Sequence, residues 1–204
     1  MSIENKILSR IYGRGRGFCF TSHDFIDEFR DNNIDKALSS LAKQKKIRRV
    51  VRGIYDYPTY SQLLKQELSP DIDGIARALA RKFNWTIEIS GESALNYLGL
   101  STQVTANYLY LSSGPTRNYD IGTIRLKFQR RALKNIGFKY KESSLLVQSL
   151  KSLGEAHVDL EIKKRLVEWL QPKECNKILK DTKTATTWIY ELIKEICNEV
   201  KKSG

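Results

Sequence analysis

Residues 17–58, GFCFTSHDFIDEFRDNNIDKALSSLAKQKKIRRVVRGIYDYP, decide the fold. Phe18 to Thr21 reads as a brief extended piece. Thr21 followed three residues later by Asp24 is a helix-start signature in which side chain and backbone cap each other, and Phe25, Ile26 and Phe29 supply a buried stripe through about Arg30. Asp31-Asn32-Asn33 then stops that helix. Asn33 is expected to cap the next one, from Ile34 to about Lys45, whose apolar side is Ile34, Ala37, Leu38 and Leu41. Residues 47–51 and 54–57 are β-branched or aromatic, and Arg52-Gly53 between them makes a hairpin. Working outward, Ile3, Ile7, Leu8 and Ile11 give a short helix over 3–11, which Gly13-Arg14-Gly15-Arg16-Gly17 ends as a flexible basic turn. Helix, strand, helix, tight turn, helix, hairpin is the order of a winged helix-turn-helix.

The chain has 204 residues with 35 Lys and Arg against 23 Asp and Glu, a net charge of +12. Its 41% apolar content, with ten Tyr, seven Phe and three Trp, is enough for one or two packed domains and excludes a wholly disordered chain. The cations cluster: residues 36–52 hold seven and no acid, and residues 121–141 likewise hold seven and no acid. On the expected third helix Lys36, Ser39, Ser40 and Lys43 lie at i, i+3, i+4 and i+7, opposite the apolar side, on the surface that enters a major groove. Lys45, Lys46, Arg48, Arg49 and Arg52, at the helix end and wing, are expected to reach flanking phosphates or the minor groove, with Arg14 and Arg16 as further backbone contacts. Double-stranded operator DNA is the expected partner. The alternative is an RNA-binding or protein-interaction module, because a fold alone does not fix its ligand.

Residues 17–25 and 41, followed by Val51-Arg52-Gly53-Ile54-Tyr55-Asp56-Tyr57-Pro58, resemble the N-terminal winged helix of the AbiEi-type antitoxin and transcriptional-regulator family. The ending Arg52-Gly53, Tyr55, Pro58 is the most telling piece. Members tend to carry Gly where the third helix meets the wing, and this chain has Lys45-Lys46 there. A weaker likeness continues through Ser90-Gly91-Glu92-Ser93-Ala94-Leu95-Asn96-Tyr97-Leu98-Gly99-Leu100. The resemblance implies a regulator of a type IV toxin-antitoxin operon that represses its own promoter. It also implies that the second domain opposes a nucleotidyltransferase-type toxin, typically without a stable complex.

Pro58 and Pro70 bracket a segment in which Leu63, Leu64 and Leu68 suggest a short connecting helix, so the domains are expected at 1–70 and 71–204. The second begins with a helix over 72–83, then a strand over 85–89, a short helix over 93–98, and strands over 108–111 and 123–128. In the last strand Ile124, Leu126 and Phe128 alternate with Arg125, Lys127 and Gln129, giving one buried and one basic side, which Arg130, Arg131 and Lys134 are expected to extend. The family resemblance makes that basic side the candidate antitoxin face. The C-terminal third is helical, ending in a stripe of Ala185, Trp188, Ile189, Leu192, Ile193, Ile196, Cys197 and Val200 that reads either as core or as a homodimer helix. The expected class is therefore α+β, a winged helix-turn-helix followed by a mixed α/β and then helical C-terminal domain.

Enzyme readings find little support. His23 and His157 are the two histidines, and His23 follows a helix cap. Gly13-Arg14-Gly15-Arg16-Gly17 lacks the preceding strand and following helix of a phosphate-cradling loop. Asp71 and Asp73 suit a helix start better than metal chemistry. No cofactor or metal is expected. Cys19, Cys175 and Cys197 are expected to be buried free thiols. Neither a signal-peptide apolar block nor a membrane-spanning window is seen, so the expected location is cytoplasmic.

Overall fold

Helix α1 (Ile3–Arg14) opens a mixed α+β chain whose computed structural model describes residues 2–101, 106–131 and 137–203. Ser2 caps the helix by accepting the Asn5 amide, and Gly15, at φ 84°, ends it one turn later than the periodicity alone indicates. Strand β1 (Cys19–Phe20) follows. The Thr21 amide donates to Asp24 Oδ2 at 2.9 Å, so the expected cap forms, yet it opens only a 3-10 turn over Ser22–Phe25. Arg10 donates to the Asp24 carbonyl at 2.9 Å and to the Asp27 carboxylate at 2.8 Å beside this turn. Helix α2 (Asp31–Lys43) starts three residues before the expected Ile34, with Arg30 rather than Asn33 as its N-cap. Its Ile34, Ala37, Leu38 and Leu41 are buried as expected against Ile7, Ile11, Phe20, Phe25, Ile47 and Tyr55. Cutting a fully buried leucine such as Leu38 to Ala in such a core costs roughly 2–5 kcal/mol.

Strands β2 (Arg48–Val51) and β3 (Ile54–Asp56) form the hairpin, and β1 adds to β3, giving the order β1-β3-β2. Val51 pairs with Ile54 across Arg52-Gly53, and Gly53 supplies the φ of 77° that a two-residue turn requires. The segment expected as a connecting helix is instead a second hairpin, β4 (Tyr60–Ser61) and β5 (Gln66–Glu67). Its leucines have no apolar face to meet, so no helix is selected there.

Helix α3 (Ile72–Phe83), capped by Asp71, belongs to the first of two compact units, residues 1–86 and 87–204, so the boundary lies beyond the expected residue 70. Long-range contacts bind it there. Arg81 reaches Asp24 Oδ1 at 2.6 Å and the Cys19 carbonyl at 2.8 Å, and Gly74 lets the helix approach β1 so closely that a Cβ would lie 3.0 Å from Cys19 Sγ.

The second unit holds a four-stranded sheet of β6 (Ile87–Ile89), β7 (Asn107–Ser112), β8 (Arg117–Ile121) and β9 (Ile124–Arg130) in the order β6-β7-β9-β8. β7 and β9 are parallel and the other pairs antiparallel. Helix α4 (Gly91–Tyr97) packs on α5 (Lys141–Leu153), where a Cβ on Gly91 would lie 2.6 Å from Ser152 Cβ. Helices α6 (Leu160–Trp169), α7 (Cys175–Asp181) and α8 (Thr187–Ser203) complete it. Ile189, Leu192, Ile193, Ile196, Cys197 and Val200 of α8 are buried in this unit's own core with Leu146, Leu150, Leu166 and Ile178, so the stripe is core rather than a free dimerisation surface. Cys19, Cys175 and Cys197 are buried thiols. Burial, reinforced by the neighbouring Cys175 thiol, pushes the Cys197 thiol up to about 12.

Among the described residues no helix is long and apolar enough to cross a membrane.

Candidate nucleic-acid interface

Residues 31–53 place a set of cations on one continuous piece of backbone: the outer side of α2, the turn at its C-terminus, and the β2–β3 hairpin. With the apolar side of α2 committed to the core, Lys36 and Lys43 are exposed and Ser39 is half-buried between them. Ser40 is turned toward α1, its Oγ accepting Gln44 Nε2 at 3.0 Å while the same amide reaches Glu4 Oε2 at 3.3 Å. The four-residue face expected from the helical spacing is thus a three-residue one, Lys36, Ser39 and Lys43.

The end of α2 carries an unusual residue choice. The Lys46 amide donates to the Leu41 carbonyl at 3.0 Å and the Lys45 amide to the Ala42 carbonyl at 3.0 Å, the hydrogen-bond pair of a helix C-terminus that closes through a left-handed residue. Lys45 is that residue, at φ 57°. Glycine is the usual occupant, since a Cβ in this conformation costs about 1–2 kcal/mol. Lys45 and Lys46 both project into solvent from this turn.

The hairpin divides its arginines. Arg48 forms a two-pronged ion pair with the buried Asp56, through Nε to Oδ1 at 3.0 Å and Nη2 to Oδ2 at 2.5 Å, donates to the Leu68 carbonyl at 2.9 Å, and lies 3.8 Å from Glu67. Its hydrogen bonds to Asp56 hold the guanidinium charged beyond its ordinary range. Arg48 is therefore a structural tie, not the phosphate contact the sequence suggests. Arg49 and Arg52 point to solvent. Lys82 joins them from α3, its Nζ 3.7 Å from where a Cβ on Gly53 would sit. Sequence reasoning missed it because it assigned α3 to the other domain.

Arg14 and Arg16 are also less free than expected. Gly17 donates to the Tyr57 carbonyl at 2.6 Å, anchoring the end of the glycine-rich segment to the end of the hairpin. Arg16 lies over the Tyr57 ring at 4.7 Å and donates to the Pro58 carbonyl at 2.9 Å, and Arg14 lies over Phe18 at 5.8 Å. Both remain exposed. Between the α2 C-terminus and the hairpin is a groove of about 270 Å³ lined by Ala42, Lys45, Ile47, Arg48, Arg49, Pro58 and Glu67. Among the described residues, the side chains of Lys36, Lys43, Lys45, Lys46, Arg49 and Arg52 make no hydrogen bond or ion pair. Such cations are available to a polyanion.

The second basic window is arranged differently. On β9 Leu126 and Phe128 are buried and Arg125 and Lys127 exposed, as the alternation indicates. Arg125, however, is paired with Asp120 at 3.1 Å. Arg130 shares strand parity with Leu126 and Phe128, so it leaves the rim of the opposite face instead of extending the basic one. Arg131 is exposed at the strand end, and Lys134 lies outside the described residues. Behind this sheet is a buried carboxyl with no sequence signal: Glu88 on β6 accepts hydrogen bonds from Ser144 Oγ and the Gly137 and Phe138 amides, and burial pushes its pKa up.

The profile of a family of unknown function (DUF6088) matches residues 6–178. A search of curated proteins finds no match. Among solved structures, the crystal structure of the Rv2827c protein from Mycobacterium tuberculosis is similar at 14% identity over 96% of this chain and 76% of that chain, with a TM-score of 0.40.

Proposed function

The chain belongs to DUF6088, a family of unknown function, and we propose that it is a duplex-DNA-binding regulator whose first unit acts as a winged helix-turn-helix. The observation that carries this reading is the set of six cations on α2, its C-terminal turn and the β2–β3 hairpin that make no hydrogen bond or ion pair among the described residues. In this reading α2 is the recognition helix. Lys36 and Lys43 flank the groove, and Ser39, small and half-buried between them, meets a base edge. Arg49 and Arg52, with Lys82 beside the turn, take phosphates next to the helix. Lys45, a lysine at a left-handed position where glycine would be less strained, takes another.

The likeness to AbiEi-type antitoxins extends the proposal to a specific setting. The chain represses its own promoter in a toxin-antitoxin operon and opposes a nucleotidyltransferase-type toxin through the second unit, with Lys127 and Arg131 on one side of the β9 end and Arg130 at the rim of the other as the candidate residues. Two experiments test this. An electrophoretic shift with DNA from upstream of its own reading frame is expected to show a discrete complex that excess random duplex does not remove, and loss of the complex to random competitor contradicts operator recognition. In cells expressing the toxin encoded beside it, K127A/R130A/R131A is expected to abolish growth rescue while leaving operator binding intact. Full rescue by the folded triple variant contradicts the antitoxin assignment.

A further inference from the structure

The hairpin formed by β4 and β5 holds two leucines out into water at its tip. Leu63 is 91% exposed and Leu64 57%, with Tyr60 and Leu68 also exposed on the stem. Isolated surface leucines are ordinary, but two adjacent ones at a hairpin tip form an apolar point rather than a scattered residue.

The tip makes defined local contacts. Ser61 pairs with Gln66, leaving a four-residue loop, Gln62 to Lys65. The Leu64 amide donates to Ser61 Oγ at 3.1 Å, and the Leu68 amide to the Thr59 carbonyl at 2.8 Å. Lys65, like Lys45, is a lysine in the left-handed conformation, at φ 51°. The root is fixed to the basic hairpin through Arg48, which is bonded to the Leu68 carbonyl and close to Glu67 while its other prong holds Asp56. Pro58 at the root accepts a hydrogen bond from Arg16. Glu67 lines the same groove as Lys45 and Arg49, so the hairpin rises directly beside the unpartnered cations.

We propose that Leu63 and Leu64 form a wedge that enters the minor groove of the bound duplex and partly unstacks a base step. This rests on the DNA-binding reading above and adds the contact that unpaired cations cannot make. Three features select duplex DNA as the occupant. The surroundings are cationic, with Lys65 on the tip itself, and the acid on the stem, Glu67, lies 3.8 Å from Arg48. The wedge adjoins the proposed phosphate-binding surface. Leucine is among the side chains that proteins insert between base pairs. Pyrimidine–purine steps, which unstack most readily, are the expected targets.

The test replaces both leucines with serine in the full chain and uses DNA from upstream of its reading frame, with 2-aminopurine substituted in turn for each adenine at TA and CA steps. Wild type is expected to raise the fluorescence at one step on binding. L63S/L64S is expected to abolish that rise and weaken binding about tenfold, with unchanged salt dependence and unchanged melting temperature, since the residues are exposed and contribute no charge. If wild type binds without any rise in fluorescence, or the double variant binds and unstacks like wild type, the wedge is overturned and the DNA reading stands. If wild type binds no duplex but the leucines drive sedimentation with neutral lipid vesicles or association with another protein, both are overturned.

Discussion

Two stretches of the chain look alike in composition and differ in space. Residues 36–52 and 121–141 each hold seven basic side chains and no acid. In the first, a helix, its closing turn and a hairpin converge, and Lys36, Lys43, Lys45, Lys46, Arg49 and Arg52 are left without partners among the described residues. In the second, Arg125 is neutralised across the sheet by Asp120, and strand parity sends Arg130 to the opposite face from Lys127. A run of charge in the sequence becomes a binding surface only when secondary-structure period and nearby acids leave it on one side. Even the first stretch yields one member, Arg48, to an acid that the window itself excludes, Asp56.

The largest effect that distinguishes the two regions is expected from neutralising them separately. K36A/K43A/R49A/R52A should weaken duplex binding by at least about a hundredfold, roughly 3 kcal/mol, whereas K127A/R130A/R131A should change it by less than about threefold in a fluorescence anisotropy titration. Comparable losses from both would erase the distinction.

Arg48 sharpens it next. Replacing Arg48 with Ala leaves Asp56 buried without its cation, and urea unfolding should show a loss of about 3 kcal/mol, far more than R49A or R52A, which should stay within about 0.5 kcal/mol. Similar melting of R48A and R49A would show that the pair contributes little to the fold.

Lys45 should behave in the opposite sense. K45G relieves the left-handed conformation and is expected to raise stability by about 1 kcal/mol while weakening DNA binding several-fold. A variant more stable and equally tight in binding would leave the lysine unexplained by phosphate contact.

The smallest effect contrasts two buried carboxyls. Asp56 has Arg48 beside it, while Glu88 has hydrogen-bond donors but, among the described residues, no cation paired with it. Burial raises the Glu88 pKa in the folded state above its ordinary 4.5, so the native protein holds that proton more tightly than the unfolded chain. Stability from this group is present at low pH and is lost as pH rises from about 4.5 through the folded value. E88Q should flatten that part of the melting-temperature profile; an unchanged pH dependence would show that Glu88 is not its source.

Periodicity revealed what depends on local pattern. The buried side of α2 and the alternation of β9 are visible in Ile34, Ala37, Leu38 and Leu41 and in Ile124 to Phe128, because a helix or strand with one buried face must repeat at its own period. Contacts between distant residues are invisible at that level. Arg10 bonds to the Asp24 carbonyl where the expected second helix is a 3-10 turn, and Arg81 ties α3 to Asp24, 57 positions earlier, within a first unit that ends past residue 70. Leu63, Leu64 and Leu68 imitate a helical stripe, but a stripe without a partner surface forms no helix. At the site, the cations were legible as residue types. Their division into available, paired and structural members was not, since it depends on Asp56 and Asp120, neither of which lies inside the basic windows.

The account is tested most directly by the salt dependence of duplex affinity. With six available cations among the described residues of α2, its closing turn and the β2–β3 hairpin, the logarithm of the association constant should fall against the logarithm of salt concentration with a slope of about −5 for the wild-type chain. The slope should approach about −2 for K36A/K43A/R49A/R52A and stay within about one unit of wild type for K127A/R130A/R131A. A wild-type slope near zero, or one that collapses when the second unit's cations are removed and survives loss of the first unit's, would contradict it.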